Sequence, residues 1–247
     1  MLASSLLALS IVVAPPAPSD PVSGADVVRL MQARYAGTWY RHATFVQTTT
    51  FADGRQETWY EAMSIPGTLR IDVAPLSAGK VILFRNDSIY QYAGGELRPG
   101  RPLVHPLLLL GFDVYGQPAE KSIAALEQLG YDLSKLSPGT WQGRKVWIVG
   151  AASGDSTSKQ FWIDQERLVF VRSLGPNPQR PGVRSEVQFN KYVPLGQGWI
   201  ETEVLFLEDG KVTLTEEYRD VRAEPVPSVD PRIFLPGLYV PPGWVKE

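Results

Sequence analysis

Residues 183–193 read VRSEVQFNKYV, and apolar and polar side chains alternate along them. Val187 and Phe189 share one parity of this segment, whereas Glu186 and Gln188 hold the other. Because successive side chains of a β-strand point to opposite faces, the pattern predicts a strand with one apolar and one polar face. Half-buried strands of this kind are typical of antiparallel sheets that pack on one side only.

The same alternation recurs on both sides of this segment, in residues 69–73, 200–206 and 212–218. Asp53-Gly54 and Asn86-Asp87 separate further β-rich runs, and such dipeptides are strong hairpin signals. Strands joined by turns this short must run antiparallel to each other. Together these patterns predict about eleven strands in one antiparallel sheet that has a single apolar face.

Short helical segments accompany the strands. Residues 27–35 carry one apolar stripe and follow Ser23 and Asp26, which resemble a capping box. Residues 106–112 are apolar all round, and residues 119–129 form a further predicted helix. These helices cover only part of the apolar face of so large a sheet. Either the sheet closes on itself as a barrel, or it curls around the helices and keeps an apolar cavity suited to a ligand.

The composition excludes several classes of function. The chain has 24 Lys+Arg against 26 Asp+Glu, so it has no basic surface of the kind that binds nucleic acid. It has no Cys and only two His, which excludes thiol catalysis and nearly excludes zinc sites and His-based triads. Neither a Gly-x-Ser-x-Gly elbow nor a glycine-rich phosphate loop occurs. We therefore expect a protein that is not an enzyme and needs no cofactor or metal.

The N-terminus predicts export from the cytoplasm. Leu2–Ala14 is an apolar run without charges, shorter than the roughly 20 residues that span a bilayer and suited in length to a secretory signal. A buried N-terminal helix is the alternative. The small residues 23–25 offer a cleavage site, although cleavage after Ala25 would remove the predicted helix cap. We assign residues 1–25 to a signal peptide with a Pro-rich linker and residues 26–247 to a single domain.

Motifs along the chain resemble those of the outer-membrane lipoprotein carrier family, which has the LolA-like fold. The matching stretches extend over residues 24–245 and are, in chain order, Arg41–Gln47, Pro66–Arg70, Val81–Leu83, Asn86–Tyr92, Pro106–Leu110, Lys159–Asp164, Phe234–Pro236 and Val240–Gly243. Their order along the chain is what carries the resemblance. It implies a mainly β fold, in which one curved antiparallel sheet of about eleven strands forms an incomplete barrel and helices cover its apolar concave face.

The resemblance also implies a function. Proteins of this family are periplasmic carriers that hold the acyl chains of lipoproteins in an apolar cavity under a helical lid. We therefore expect a monomeric, non-catalytic periplasmic protein that binds lipoprotein acyl chains or other lipids. Lipoprotein-sorting components of the inner or outer membrane would be its partners. The alternative is an envelope-stress sensor that binds lipid or an anti-sigma partner, because LolA-like domains also occur in such regulators.

The expected ligand-binding residues are apolar side chains that share the concave face, together with two from the Leu-rich helix: Phe45, Met63, Leu69, Ile71, Leu83, Leu107, Leu110, Val187, Phe189, Val204, Phe206 and Leu214. For the helix residues, ordinary core packing is the alternative. Carriers of the family have, at the position of Ile65 in this chain, an arginine inside the cavity that holds the helical lid closed. We call such a residue a latch. Glu61 shares the parity of Ile65 and is a candidate substitute latch, with an exposed position on an edge strand as its alternative.

Overall fold

The computed structural model describes residues 20–223 and 229–245. The apolar run Leu2–Ala14 and the Pro-rich stretch after it lie outside the described residues, so the signal peptide stays a prediction. No helix within the described ranges is long and apolar enough to cross a membrane.

Most of the described chain is β-structure. The strands are β1 (His42–Phe51), β2 (Gln56–Ser64), β3 (Thr68–Val73), β4 (Lys80–Arg85), β5 (Ser88–Ala93), β6 (Glu96–Leu97), β7 (Arg101–Pro102), β8 (Leu136–Trp141), β9 (Arg144–Val149), β10 (Gln160–Asp164), β11 (Phe170–Pro176), β12 (Arg184–Asn190), β13 (Val193–Leu195), β14 (Gly198–Ile200), β15 (Glu203–Glu208) and β16 (Lys211–Ala223). All except β13 and β14 belong to one 14-stranded antiparallel sheet.

The strand order of this sheet is β6-β5-β4-β3-β2-β1-β16-β15-β12-β11-β10-β9-β8, with β7 paired to β5. Because β6 and β8 end this order, the sheet of the described residues is not closed, which confirms the predicted incomplete barrel. The strand count exceeds the prediction of about eleven. One reason is that Gln142 and Gly143 turn with positive φ and separate β8 from β9. Another is that β13 and β14 form a separate hairpin.

The helices lie on the concave face. They are α1 (Gly24–Tyr35), α2 (Pro106–Leu108), the π-helix Leu109–Asp113, α3 (Val114–Gly116) and α4 (Ala119–Gln128). Residues 106–116 are continuous, and we call them the central helix. Short 3-10 turns occupy Leu76–Ala78 and Pro231–Phe234.

The first residues of α1 are capped by Ser23 and packed against the sheet. The hydroxyl of Ser23 accepts the Asp26 N–H at 3.2 Å and donates to the Asp26 carboxylate at 2.7 Å, as a cap should. The Gly24 N–H donates to the Leu133 carbonyl at 2.8 Å. A Cβ added at Gly24 would lie 2.2 Å from the Val149 side chain, so a larger residue here would force neighbouring atoms to shift. Cleavage after Ala25 would therefore remove a cap and a tight packing contact.

The convex face of the sheet is not uniformly solvated. The alternation in residues 69–73 predicts Arg70 and Asp72 on a wet face, and that prediction is wrong. The Arg70 side chain is 2% exposed, and its guanidinium binds both Asp72 oxygens at 2.7 and 2.8 Å. It also donates to the carbonyls of Ile233 at 2.7 Å and Val240 at 2.8 Å. The C-terminal segment, residues 229–245, therefore covers these strands. Arg70 anchors it at two carbonyls, and Arg85 donates to a third, that of Phe234, at 2.7 Å.

Leu83 lies on this covered convex face. It is buried in a small cluster with Ala62, Ile233 and Phe234, apart from the main core. In the β3–β4 register Leu83 stands opposite Arg70, so the two side chains share a face. The expectation that Leu83 lines the concave face is therefore wrong. The run of residues 81–84 is apolar at every position, because both faces of β4 are covered.

We expect Arg70→Ala to lower the free energy of unfolding by about 3–5 kcal/mol, because it leaves the Asp72 carboxylate buried without its partner. Urea denaturation followed by circular dichroism measures this loss, and limited proteolysis should show release of residues 229–245. Arg219→Ala is the matched control, since the Arg219–Asp220 pair is exposed and should contribute less than about 1 kcal/mol. Equal losses in the two variants would contradict the anchoring role of Arg70.

Candidate functional site

A cavity of about 210 Å³ lies between the concave face of the sheet and the central helix. Most of its lining is apolar and aromatic, and the rest is a compact polar group. The lining residues are Gln47, Trp59, Glu61, Leu69, Ile71, Ile82, Phe84, His105, Leu107, Leu108, Phe112, Phe189, Glu201, Phe206, Glu216 and Tyr218. Concave apolar sites with a few convergent polar groups are typical of small-molecule binding.

Several predicted residues meet in this cavity. Those that line it are Leu69, Ile71, Leu107, Phe189 and Phe206, together with the candidate latch Glu61. Others lie in the core around the cavity without lining it, namely Phe45, Met63, Leu110 and Val204. Val187 is half-buried against the same core. Leu214 stands opposite Phe206 in the β15–β16 register and is also half-buried.

Sequence reasoning missed five apolar members of the lining, which are Trp59, Ile82, Phe84, Leu108 and Phe112. Trp59 has the parity of Glu61 and could have been found by extending that pattern along β2. Ile82 and Phe84 stand in a run without alternation, so no period assigned them to a face. Phe112 belongs to a helix that is apolar all round, and only packing decides which of its sides faces the cavity.

The polar group assembles from distant strands. In the β1–β2 and β1–β16 registers Gln47 stands opposite Trp59 on one side and Tyr218 on the other. The Tyr218 hydroxyl donates to the Glu216 carboxylate at 3.2 Å. Glu201 follows β14 and is 1% exposed. Its Oε1 is buried and makes no hydrogen bond within the described structure.

Burial dominates the electrostatics of the three cavity carboxyls. It raises the pKa of Glu216 to about 7, against the hydrogen bonds from Tyr218 and Gln47, which lower it. Burial also raises the pKa of Glu61 and of Glu201 well above the usual value, and the neighbouring Glu216 carboxylate raises both further. A buried carboxyl without a cation nearby favours its neutral form. The cavity therefore favours the protonated form of all three acids, and Glu216 changes its charge near neutral pH.

The central helix is attached to the sheet at its start. The His105 ring accepts the Leu108 N–H at 3.1 Å through Nδ1 and so caps the helix, and it packs edge-on against Phe84 at 4.6 Å. Burial lowers the pKa of His105 to about 4, so the ring is neutral when it accepts this bond. Along the helix, Gly111 lies so close to Phe189 that an added Cβ would stand 2.9 Å from the ring.

The far end of the helix is held by one polar and one apolar contact. The Asp113 carboxylate accepts the N–H of Gly67, in the turn between β2 and β3, at 2.7 Å. Burial raises the pKa of Asp113 to about 7. Ile65 is buried against Gly116, whose added Cβ would lie 2.7 Å from the Ile65 methyl. Asp113 thus makes a polar contact that holds the helix, a role predicted for Glu61.

The two candidate latch positions have different surroundings. Glu61 is 3% exposed on β2, which lies between β1 and β3, so the edge-strand alternative does not hold. It lines the cavity with Glu201 and Glu216. Ile65 packs at the end of the central helix and does not line the cavity. No cluster of three or more His, Asp or Glu side chains among the described residues is arranged to hold a metal ion.

No protein-family model matches this chain, and no curated protein matches its sequence. In three dimensions the chain is similar to an outer membrane lipoprotein-sorting protein domain from Vibrio parahaemolyticus. The TM-score is 0.55 at 11% identity, over 85% of this chain and 95% of that domain. The fold is LolA-like. A DUF1329 family protein from Desulfovibrio piger has a TM-score of 0.53 at 13% identity, over 86% of this chain and 95% of its own.

A LolA superfamily protein from Nitrosomonas europaea also matches, at 12% identity over 87% of this chain and 98% of its own, with a TM-score of 0.49. The first two comparisons confirm the predicted fold: a mainly β chain with one large, open antiparallel sheet and few helices. At such low identity the LolA-like fold defines the architecture alone. The function of the cavity must therefore be inferred from the residues of this chain that line it.

The tether of the LolA-like central helix is testable by a pair of substitutions. Asp113→Leu removes the acceptor for the Gly67 N–H and should lower the free energy of unfolding by about 1–3 kcal/mol. Asp113→Asn keeps an oxygen at the same place and should cost less. Urea denaturation of both variants measures the difference. If Asp113→Asn is as destabilised as Asp113→Leu, the hydrogen bond to Gly67 is not the tether.

The cavity carboxyls should make stability depend on pH. The folded state raises the pKa of Glu216 from 4.5 to about 7, so it favours the protonated form. The stability from Glu216 is then complete below pH 4.5 and is lost as pH rises to about 7, by at most about 1.4 kcal/mol per pH unit.

Glu216→Gln removes this dependence, so its stability relative to the wild type should increase over that pH range. Thermal unfolding at a series of pH values measures the difference. Glu217→Gln, at the exposed neighbouring position, should show no such trend. A constant difference between wild type and Glu216→Gln would contradict the raised pKa.

Proposed function

We propose that this protein is a non-catalytic periplasmic carrier, which binds an acyl chain of a lipoprotein or another lipid between its sheet and its central helix. The observation that supports this most is the cavity of about 210 Å³ with a mainly apolar lining beneath a short helix. Signal-peptide export and exchange of cargo with lipoprotein-sorting components of the inner or outer membrane belong to the same proposal.

The size of the cavity implies that the central helix moves during binding. Ligand pockets usually measure about 300–1,000 Å³, and a dry cavity of about 150 Å³ holds benzene. A volume of about 210 Å³ therefore accommodates only part of an acyl chain while the helix is in place. Displacement of the helix away from the sheet would enlarge the cavity, and Asp113 and Ile65 make the contacts that resist this movement at its far end.

Apolar burial supplies the binding free energy in this proposal. Each methylene that leaves water contributes about 0.8 kcal/mol, so even part of an acyl chain gives measurable affinity. Leu69, Ile71 and Phe206 from the sheet and Leu107 and Phe112 from the helix provide the apolar contacts. Because the helix supplies a share of these contacts, binding depends on the helix as well as on the sheet.

A charge placed on the helix side of the cavity should abolish binding. Leu107 is half-buried and lines the cavity, so Leu107→Glu would put an unpaired carboxylate against the ligand, at a cost of several kcal/mol. The measurement is fluorescence of an uncharged, dye-labelled acyl ester titrated with the protein. We expect saturable binding by the wild type and at least a tenfold loss in the variant.

Leu97→Glu is the matched control, since Leu97 is 41% exposed on β6 and does not line the cavity. It should bind like the wild type, and circular dichroism should show that both variants are folded. If a folded Leu107→Glu binds the ester as tightly as the wild type, the proposed site is wrong. If the wild type itself does not bind the ester, the carrier proposal fails.

A further inference from the structure

The polar group of the cavity includes three acids, and no described lysine or arginine side chain lines the cavity to balance their charge. These acids are Glu61, Glu201 and Glu216. Glu201 is 1% exposed, and its Oε1 is buried without a hydrogen-bond partner in the described structure. An orphaned buried oxygen of this kind is costly and calls for an explanation. A ligand that supplies N–H donors would satisfy this oxygen.

We infer that the cavity binds an amphiphile whose polar end is a protonated amine, with Glu201 and Glu61 as its counter-ions. This inference rests on the proposed carrier function and adds the chemical class of the ligand. An ammonium group carries N–H donors and a positive charge, which are what an unpaired buried carboxylate lacks. The apolar lining from β3, β4 and the central helix would hold the hydrocarbon part.

Other polar ends fit this site less well. A carboxylate or phosphate would bring a further negative charge among three acids with no lysine or arginine to receive it. An alcohol or ester could accept a hydrogen bond from a protonated acid. It would gain little from the presence of several acids, because one donor satisfies it. The accumulation of acids without cations therefore favours a positively charged ligand.

Binding of an amine should release protons. With the acids protonated in the empty cavity, an ammonium can form an ion pair only after a carboxyl gives up its proton to solvent. The other titratable groups that face the acids are the ring of His105, which burial keeps neutral, and buried tyrosine hydroxyls. These tyrosines are Tyr40, Tyr115, Tyr192 and Tyr218, whose pKa values burial raises well above 10. None of them ionises near neutral pH, so the carboxyls alone set the pH dependence.

Three ten-carbon probes separate the possibilities: decylamine, decanol and decanoate, each measured by displacement of the uncharged fluorescent ester from the wild-type protein. We expect decylamine to bind most tightly at pH 8. Its affinity should fall about tenfold for each pH unit below the pKa of the acids, because one proton is released on binding. Decanol should bind with the same affinity at each pH.

Substitutions identify the residues involved. Glu201→Gln and the double variant Glu61→Gln with Glu201→Gln keep the side-chain shape and remove the charge. We expect the double variant to bind decylamine no more tightly than decanol, while its affinity for decanol stays unchanged. Glu217→Gln is the matched control, since Glu217 is exposed beside Glu216 on β16 and does not line the cavity. It should bind all three probes like the wild type.

The outcomes distinguish this inference from the carrier proposal. If decanol displaces the ester but decylamine binds no better at any pH, the inference is wrong and the carrier proposal stands. Tighter binding of decanoate than of decylamine would also overturn it, as would an amine preference that survives in the double variant. If none of the probes displaces the ester, or the ester does not bind, both proposals fail.

Discussion

The pairing of β1 with β16 is the constraint on which the rest of the molecule depends. It joins the strands that precede the central helix to those that follow it, so that one open sheet results. It also brings Gln47 opposite Tyr218 and sets the rings of Phe45 and Tyr218 4.4 Å apart. Closing so long a loop costs conformational entropy, which apolar packing on the concave face must offset. The cavity and its polar group lie along this seam, so neither exists without the pairing.

The central helix completes the site because the sheet is larger than the helices that cover it. Its start is capped by His105, its middle packs on Phe189, and its end is held by Asp113 and Ile65. Between these contacts a volume of about 210 Å³ stays unfilled. Protein interiors are normally close-packed, so a void beside buried acids departs from what stability alone would favour. Departures of this kind are expected at functional sites.

Which site residues could be predicted depended on whether their strand alternates. In β3 and β12 the alternation is clear, and Leu69, Ile71 and Phe189 were placed correctly on the concave face. In β4 every position from 81 to 84 is apolar, so the sequence could not show which parity faces the cavity. The structure shows that Ile82 and Phe84 line the cavity and that Leu83 does not. Of the three acids, only Glu61 was a candidate site residue from the sequence. A glutamate within a strand normally indicates a solvent face, and only the register of distant strands shows that Glu61, Glu201 and Glu216 share one cavity.

The sequence by itself determined the local structure: the capped first helix, the Asp53-Gly54 hairpin, the antiparallel strands and the mainly β class. These features depend on hydrogen bonds and dihedral preferences between residues close in the chain, which local patterns record. Only the tertiary structure decided that residues 229–245 cover the convex face over Arg70, that Asp113 tethers the helix, and that the acids converge. These contacts join residues far apart in the chain. The free energy of each contact depends on the burial of its groups and on their interaction partners. The sequence pattern of a single segment predicts neither of these.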